Sequence, residues 1–145
     1  MPDQLPLDFI VSFCRDMVAQ CGEDSYCHCF CDNAGLLGVF DGCGGAGARK
    51  HEFYSGKTEA YMASRLCAGA FYDTFRQMFS ENPPAPERIG EQFGANTIEL
   101  LKKYQPPTDD TGFRIMGSMV RTLPTTAAAA VIQQGDRGEI LVSAI

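Results

Sequence analysis

Positive charge is scarce in this chain. Its 145 residues carry 12 Lys and Arg against 18 Asp and Glu, a formal net charge of -6. A nucleic-acid partner demands clustered cations to replace phosphate counterions, so this balance argues against one. Long apolar runs are missing as well. No stretch approaches the roughly 20 residues that cross a bilayer, so no membrane partner is expected. The N-terminus, MPDQLPLDFIV, has Asp3 where a secretion signal carries Lys or Arg, and it lacks a long apolar core. The expected compartment is the cytoplasm. Paired C-x2-C spacing is absent too. The seven cysteines (14, 21, 27, 29, 31, 43 and 67) are odd in number. Without a secretion signal they predict free thiols, not a disulfide framework.

What remains is ordinary for a globular protein: 45% hydrophobic and 21% charged residues. A chain of this length buries about two-thirds of its unfolded surface, enough for one domain over residues 1–145. Residues 8–14, DFIVSFC, are β-branched and aromatic and predict a strand. Residues 25–31, SYCHCFC, predict a second. Alternation sets Cys27, Cys29 and Cys31 on one face and Tyr26, His28 and Phe30 on the other. Small thiols packing a sheet account for that pattern better than zinc, whose tetrahedral sites favour paired spacing. Asp32 to Gly35 read as a hairpin turn, followed by an antiparallel strand from Leu36 to Phe40. Its near-continuous apolar character predicts cover on both faces.

Residues 58–79 repeat apolar side chains at three- and four-residue steps and predict a helix with Thr58 as N-cap. A second helix is expected from about Glu87 to Tyr104, with Ile89, Phe93, Leu100, Leu101 and Tyr104 inward. Residues 125–132, TTAAAAVI, and 140–145, ILVSAI, read as a closing hairpin. Strands, two helices, then strands make an α+β architecture, with antiparallel β-sheets packed against two helices. The chain stops at Ile145 inside an apparent strand, which predicts a C-terminally truncated domain with an open sheet edge.

The chemistry concentrates at GLLGVFDGCGGAG, residues 35–47. Gly42, Gly44 and Gly47 spell G-x-G-x-x-G, a pattern of dinucleotide-binding loops. Asp41 would repel a pyrophosphate there, and ten residues delay the helix that should receive the anion. A cation fits better. A carboxylate at a strand end suits a hard metal, and Gly42 can turn its carbonyl oxygen toward the same ion. A turn at Asp32–Gly35 brings residue 24 or 25 level with residues 42–43. Glu23, Asp24 and Asp41 then meet at one sheet end and repel one another unless a cation intervenes. The competing reading is that Asp41 caps the loop while Glu23 and Asp24 are solvated.

GEDS (22–25), GVFDGCGG (38–45), an Ala-rich helix and TTAAAAVI (125–132), in this order, resemble the metal-dependent PPM-type (type 2C-like) protein serine/threonine phosphatases. The resemblance runs over about residues 8–145, the N-terminal half or so of a family domain, and implies half of a β-sandwich flanked by helices. It implies that Asp41 bridges two Mg2+ or Mn2+ ions and that the Gly42 carbonyl binds the second. Glu23 then holds that ion partly through water, with Asp24 as its hydrogen-bonding neighbour. The implied reaction is attack of a metal-activated water on a phosphoserine or phosphothreonine of a phosphoprotein substrate. Three departures stand out. Ala19 occupies the position of a phosphate-gripping Arg, for which Arg15 or Lys50 are the nearest substitutes. Cys43, with no His placed to activate it, follows the Asp-Gly pair. Two later aspartates of the family do not occur, which predicts little activity for this chain alone. A non-catalytic phosphatase-like binding module is the alternative. The oligomeric state is not legible.

Overall fold

The computed structural model describes residues 22–31, 33–80, 84–105, 123–135 and 139–145. The predicted strand at 8–14 and the position of Ala19 lie outside them. In chain order the elements are β1 (Ser25–Cys31), β2 (Ala34–Gly42), β3 (Lys50–His51), a 3-10 turn (Glu52–Tyr54) and β4 (Lys57–Thr58). There follow α1 (Glu59–Phe79), α2 (Pro86–Lys103), β5 (Thr125–Gln134) and β6 (Ile140–Ala144). The four longer strands form one antiparallel sheet in the order β1-β2-β5-β6, and β3 pairs with β4 in a separate ribbon. The architecture is α+β, as the pattern predicts.

The hairpin is tighter than predicted. β1 and β2 are joined by Asp32 and Asn33 alone, with Cys31 opposite Ala34 and Gly35 already inside β2 opposite Phe30. Two-residue connections match the twist of paired strands and set the register. The register therefore differs from expectation: Ser25 lies opposite Phe40, which sets Asp24 level with Asp41 and Glu23 level with Gly42.

Helix α1 starts where its capping chemistry dictates. The Thr58 hydroxyl oxygen accepts the Tyr61 backbone N–H at 3.0 Å, satisfying one orphan donor of the first turn. Pro86 opens α2, where a missing N–H costs nothing. Both helices lay apolar stripes on one face of the sheet. Phe71 is the hinge of the core, 5.0 Å from Phe40 of β2 and 4.6 Å from Phe93 of α2, ring centroid to centroid. Leu36, Phe75, Ile89 and Val131 are fully buried around it. Cys27, Cys29 and Cys31 face this core, on the side opposite Tyr26, His28 and Phe30, as alternation predicts.

Two expectations are corrected. Tyr104 is exposed rather than inward. It lies one residue past the end of α2, and its carbonyl receives the Tyr54 hydroxyl at 2.6 Å. The second face of β2 is not covered by any described element. Leu36 and Phe40 are buried, but Val39 stands in solvent.

Candidate functional site

The acidic end of the β1–β2 hairpin is built by the backbone before any side chain acts. Gly42 N–H donates to the Glu23 carbonyl at 3.3 Å, extending the ladder one step beyond β1. A Cβ at Gly42 would run into the Ala60 carbonyl, and would lie 2.7 Å from the Glu23 carbonyl oxygen. Only glycine lets the first turn of α1 sit this close to the strand end. At Gly44 the obstacle is a side chain instead: the Glu23 carboxylate occupies the space a Cβ would take.

On this frame Asp24 and Asp41 meet. Their carboxyl groups share a hydrogen bond, and the Asp24 pKa is raised above 3.8. Loss of water around Asp24 is the largest cause; the hydrogen bond to Asp41, its charge and that of Glu23 follow. Arg65 opposes the rise. Its guanidinium stacks 3.5 Å from the Tyr61 ring centroid and donates to the Tyr61 carbonyl at 3.2 Å. Of the two nearest substitutes for the phosphate-gripping Arg, Arg15 lies outside the described residues and Lys50 pairs with Thr58 in the β3–β4 ribbon.

Glu23 stands at the same sheet end but turns elsewhere. Its Oε1 accepts the Thr58 hydroxyl at 2.8 Å, the same oxygen that caps α1. One threonine thus ties the helix start to the acidic hairpin. Thr125 does the equivalent from β5, donating to the Asp41 carbonyl at 2.8 Å. Cys43, beside the pair, is held by its backbone: its N–H donates to the Pro124 carbonyl at 3.0 Å, and its carbonyl accepts Gly47 N–H at 2.8 Å.

A neighbouring polar pair escaped the sequence reading. His51 Nε2 lies 2.6 Å from Glu59 Oε1, with both side chains largely buried. His51 also meets Tyr54 edge-on at 5.5 Å. The segment 48–58, which separates the glycines from the helix, folds as the β3–β4 ribbon around this pair. A sequence signal was weak, because the two residues are eight apart and join only when the ribbon closes on α1.

The helix start that a dinucleotide would need bears on the G-x-G-x-x-G pattern. The first amides of α1 are already engaged: Glu59 N–H donates to Arg49, Ala60 N–H to Gly47 and Tyr61 N–H to Thr58. No anion can claim them without displacing those acceptors.

Fit to a divalent metal divides by residue. Asp24 and Asp41 offer adjacent carboxylate oxygens, hard donors that suit Mg2+ or Mn2+. Two carboxyl groups in hydrogen-bond contact near neutral pH need a shared proton or a cation between them. Glu23 is diverted to Thr58, and among the described residues no three His, Cys, Asp or Glu side chains converge as a metal-binding group. Among them also, no helix is long and apolar enough to cross a membrane. No protein-family model, curated protein or solved structure matches the chain.

Proposed function

We propose that this chain is a segment of a metal-dependent phosphoester hydrolase of the PPM type, acting on phosphoserine and phosphothreonine in proteins. The observation that carries the reading is the register of β1 on β2, which brings Asp24 and Asp41 into contact beside Gly42. The order of GEDS, GVFDGCGG and TTAAAAVI along the chain supports it. Asp41 and Asp24 would hold a divalent ion, with the Gly42 carbonyl and Glu23, which accepts the Thr58 hydroxyl, as the further groups of the site. Such an ion, Mg2+ or Mn2+, supplies charge neutralisation and an acidified water. The chain's own groups do the positioning. Thr58 and Thr125 hold Glu23 and the Asp41 backbone in place, and Arg65 is the cation beside the pair.

Mn2+ titration paired with phosphate release from a phosphoserine peptide tests this. Expected are a rise in melting temperature with Mn2+ that disappears in Asp41→Asn and, because two later aspartates of the family do not occur, only weak turnover that requires Mn2+. Binding without turnover favours the second reading, a phosphatase-like binding module, for which the diversion of Glu23 to Thr58 is the supporting contact. Turnover that persists in Asp41→Asn would sink both.

A further inference from the structure

The side of α1 that meets the acidic hairpin end is fixed by its first turn. Thr58, Tyr61 and Arg65 are spaced three and four residues apart, which sets them on one side of the helix. Thr58 reaches the Glu23 carboxylate at 2.8 Å, so this side looks toward the acidic groups. Arg65 is half-buried on it, one turn beyond Tyr61. Its charge is felt at Asp24.

The guanidinium is oriented before any ligand arrives. Its Cζ lies 3.5 Å from the Tyr61 ring centroid. Its Nη1 donates to the Tyr61 carbonyl at 3.2 Å and to the Ser64 hydroxyl at 3.4 Å. Both bonds leave from one nitrogen and end on the helix itself. Among the described residues, Nη2 and Nε meet no acceptor. Arg65 therefore stands near the acidic pair without closing onto it. A stacked guanidinium loses little further freedom when its open edge receives two anionic oxygens. A second cation is close by: Lys57 Nζ lies 4.7 Å from the same ring centroid.

We propose that Arg65 is the residue that grips substrate phosphate: its open edge, held on Tyr61, takes two oxygens of a phosphate monoester beside Asp24 and Asp41, with Lys57 as a second cation. The assignment rests on the phosphoester-hydrolase reading. It supplies what that reading lacks, because Ala19 occupies the position of the phosphate-gripping Arg. The need is electrostatic. Glu23, Asp24 and Asp41 repel a phosphate dianion, and a fixed cation on the substrate side offsets that repulsion. A lysine there would give a point charge alone, whereas the guanidinium fork also sets the direction of the oxygens.

Isothermal titration calorimetry of the 145-residue chain tests the proposal. The titrants are Mn2+, inorganic phosphate and a phosphoserine peptide, each anion with and without Mn2+. In Arg65→Gln both anions should bind about tenfold or more weakly. Mn2+ should bind that variant as tightly as wild type or more so, because a repelling cation has gone. Arg65→Lys keeps the charge and loses the fork, so it should recover only part of the loss. Arg76→Gln, on the exposed far end of α1, should match wild type.

Mn2+ binding with anion affinity unchanged in Arg65→Gln overturns the assignment and leaves the metal reading standing. Anion binding that needs Arg65, in a chain that ignores Mn2+, supports the grip and removes the metal reading. Loss of Mn2+ and anions together makes Arg65 a structural residue and overturns the assignment, as does a wild-type chain that binds neither anion. Inorganic phosphate bound while the peptide is ignored restricts the seat to the free ion and overturns it as a substrate grip. If circular dichroism shows Arg65→Gln unfolded, Arg65→Lys decides, and wild-type anion affinity in that variant overturns the assignment.

Discussion

Gly42→Ala is the sharpest perturbation of the acidic hairpin end, because its added atom meets backbone on two sides. The new Cβ collides with the Ala60 carbonyl of α1 and lies 2.7 Å from the Glu23 carbonyl. Neither is a side chain that can swing away. Overpacking of this kind costs about 1–3 kcal/mol. Displacing Glu23 also strains the Gly42–Glu23 hydrogen bond, worth about 0.5–1.5 kcal/mol. Alanine's lower chain entropy in the unfolded state returns about 0.5–1 kcal/mol. The net loss is about 2–3 kcal/mol. At about 2.1 cal/mol/K per residue, 145 residues give an unfolding entropy near 0.3 kcal/mol/K, so the melting temperature should fall by about 7–10 °C. Differential scanning calorimetry of Gly42→Ala beside Gly45→Ala measures this. Gly45 has open space where its Cβ would go, so its variant should melt near the wild type. A Gly42→Ala chain that melts within about 2 °C of the wild type would refute the close approach of α1 to the strand end.

Two further outcomes follow from titrating groups. The folded state binds the Asp24 proton more tightly than the unfolded state, whose value is near 3.8. Native protein then holds more protons just above that pH, and stability falls as pH rises through the window. Asp24→Asn should match wild type in acid and melt higher near neutral pH. A melting difference that does not change with pH would show that Asp24 and Asp41 do not interact. Burial pushes the Cys27 and Cys67 thiols from 9.0 to about 11, with Cys29 adding to the rise at Cys27. Two pH units mean about 100-fold less thiolate at pH 8. Iodoacetamide labelling followed by peptide mapping should therefore be at least about 100-fold slower for these two in native protein than in denaturant. Rapid native labelling of Cys67 would place it outside the core.

Much of this molecule was legible before folding. Alternation set the three β1 cysteines opposite Tyr26, His28 and Phe30, and helical spacing marked residues 58–79 as a helix and Ile89 and Phe93 as inward. Thr58 was readable as a cap because N-capping is a local transaction among four residues. Such signals survive in one dimension because the groups involved are neighbours in the chain or repeat with the period of a single element.

Tertiary structure decided the rest. The one-dimensional pattern placed Glu23, Asp24 and Asp41 at one sheet end. Only the two-residue hairpin set Asp24 level with Asp41, since a turn longer by two residues would have shifted the ladder. Glu23 went to Thr58, 35 residues away, and His51 to Glu59. Those choices depend on where α1 lands against the sheet, which is a matter of packing volume rather than of sequence neighbours. The same holds for the second face of β2. The apolar run of β2 announced that both sides of the strand avoid water, but what covers a face depends on which other surface fits it in space.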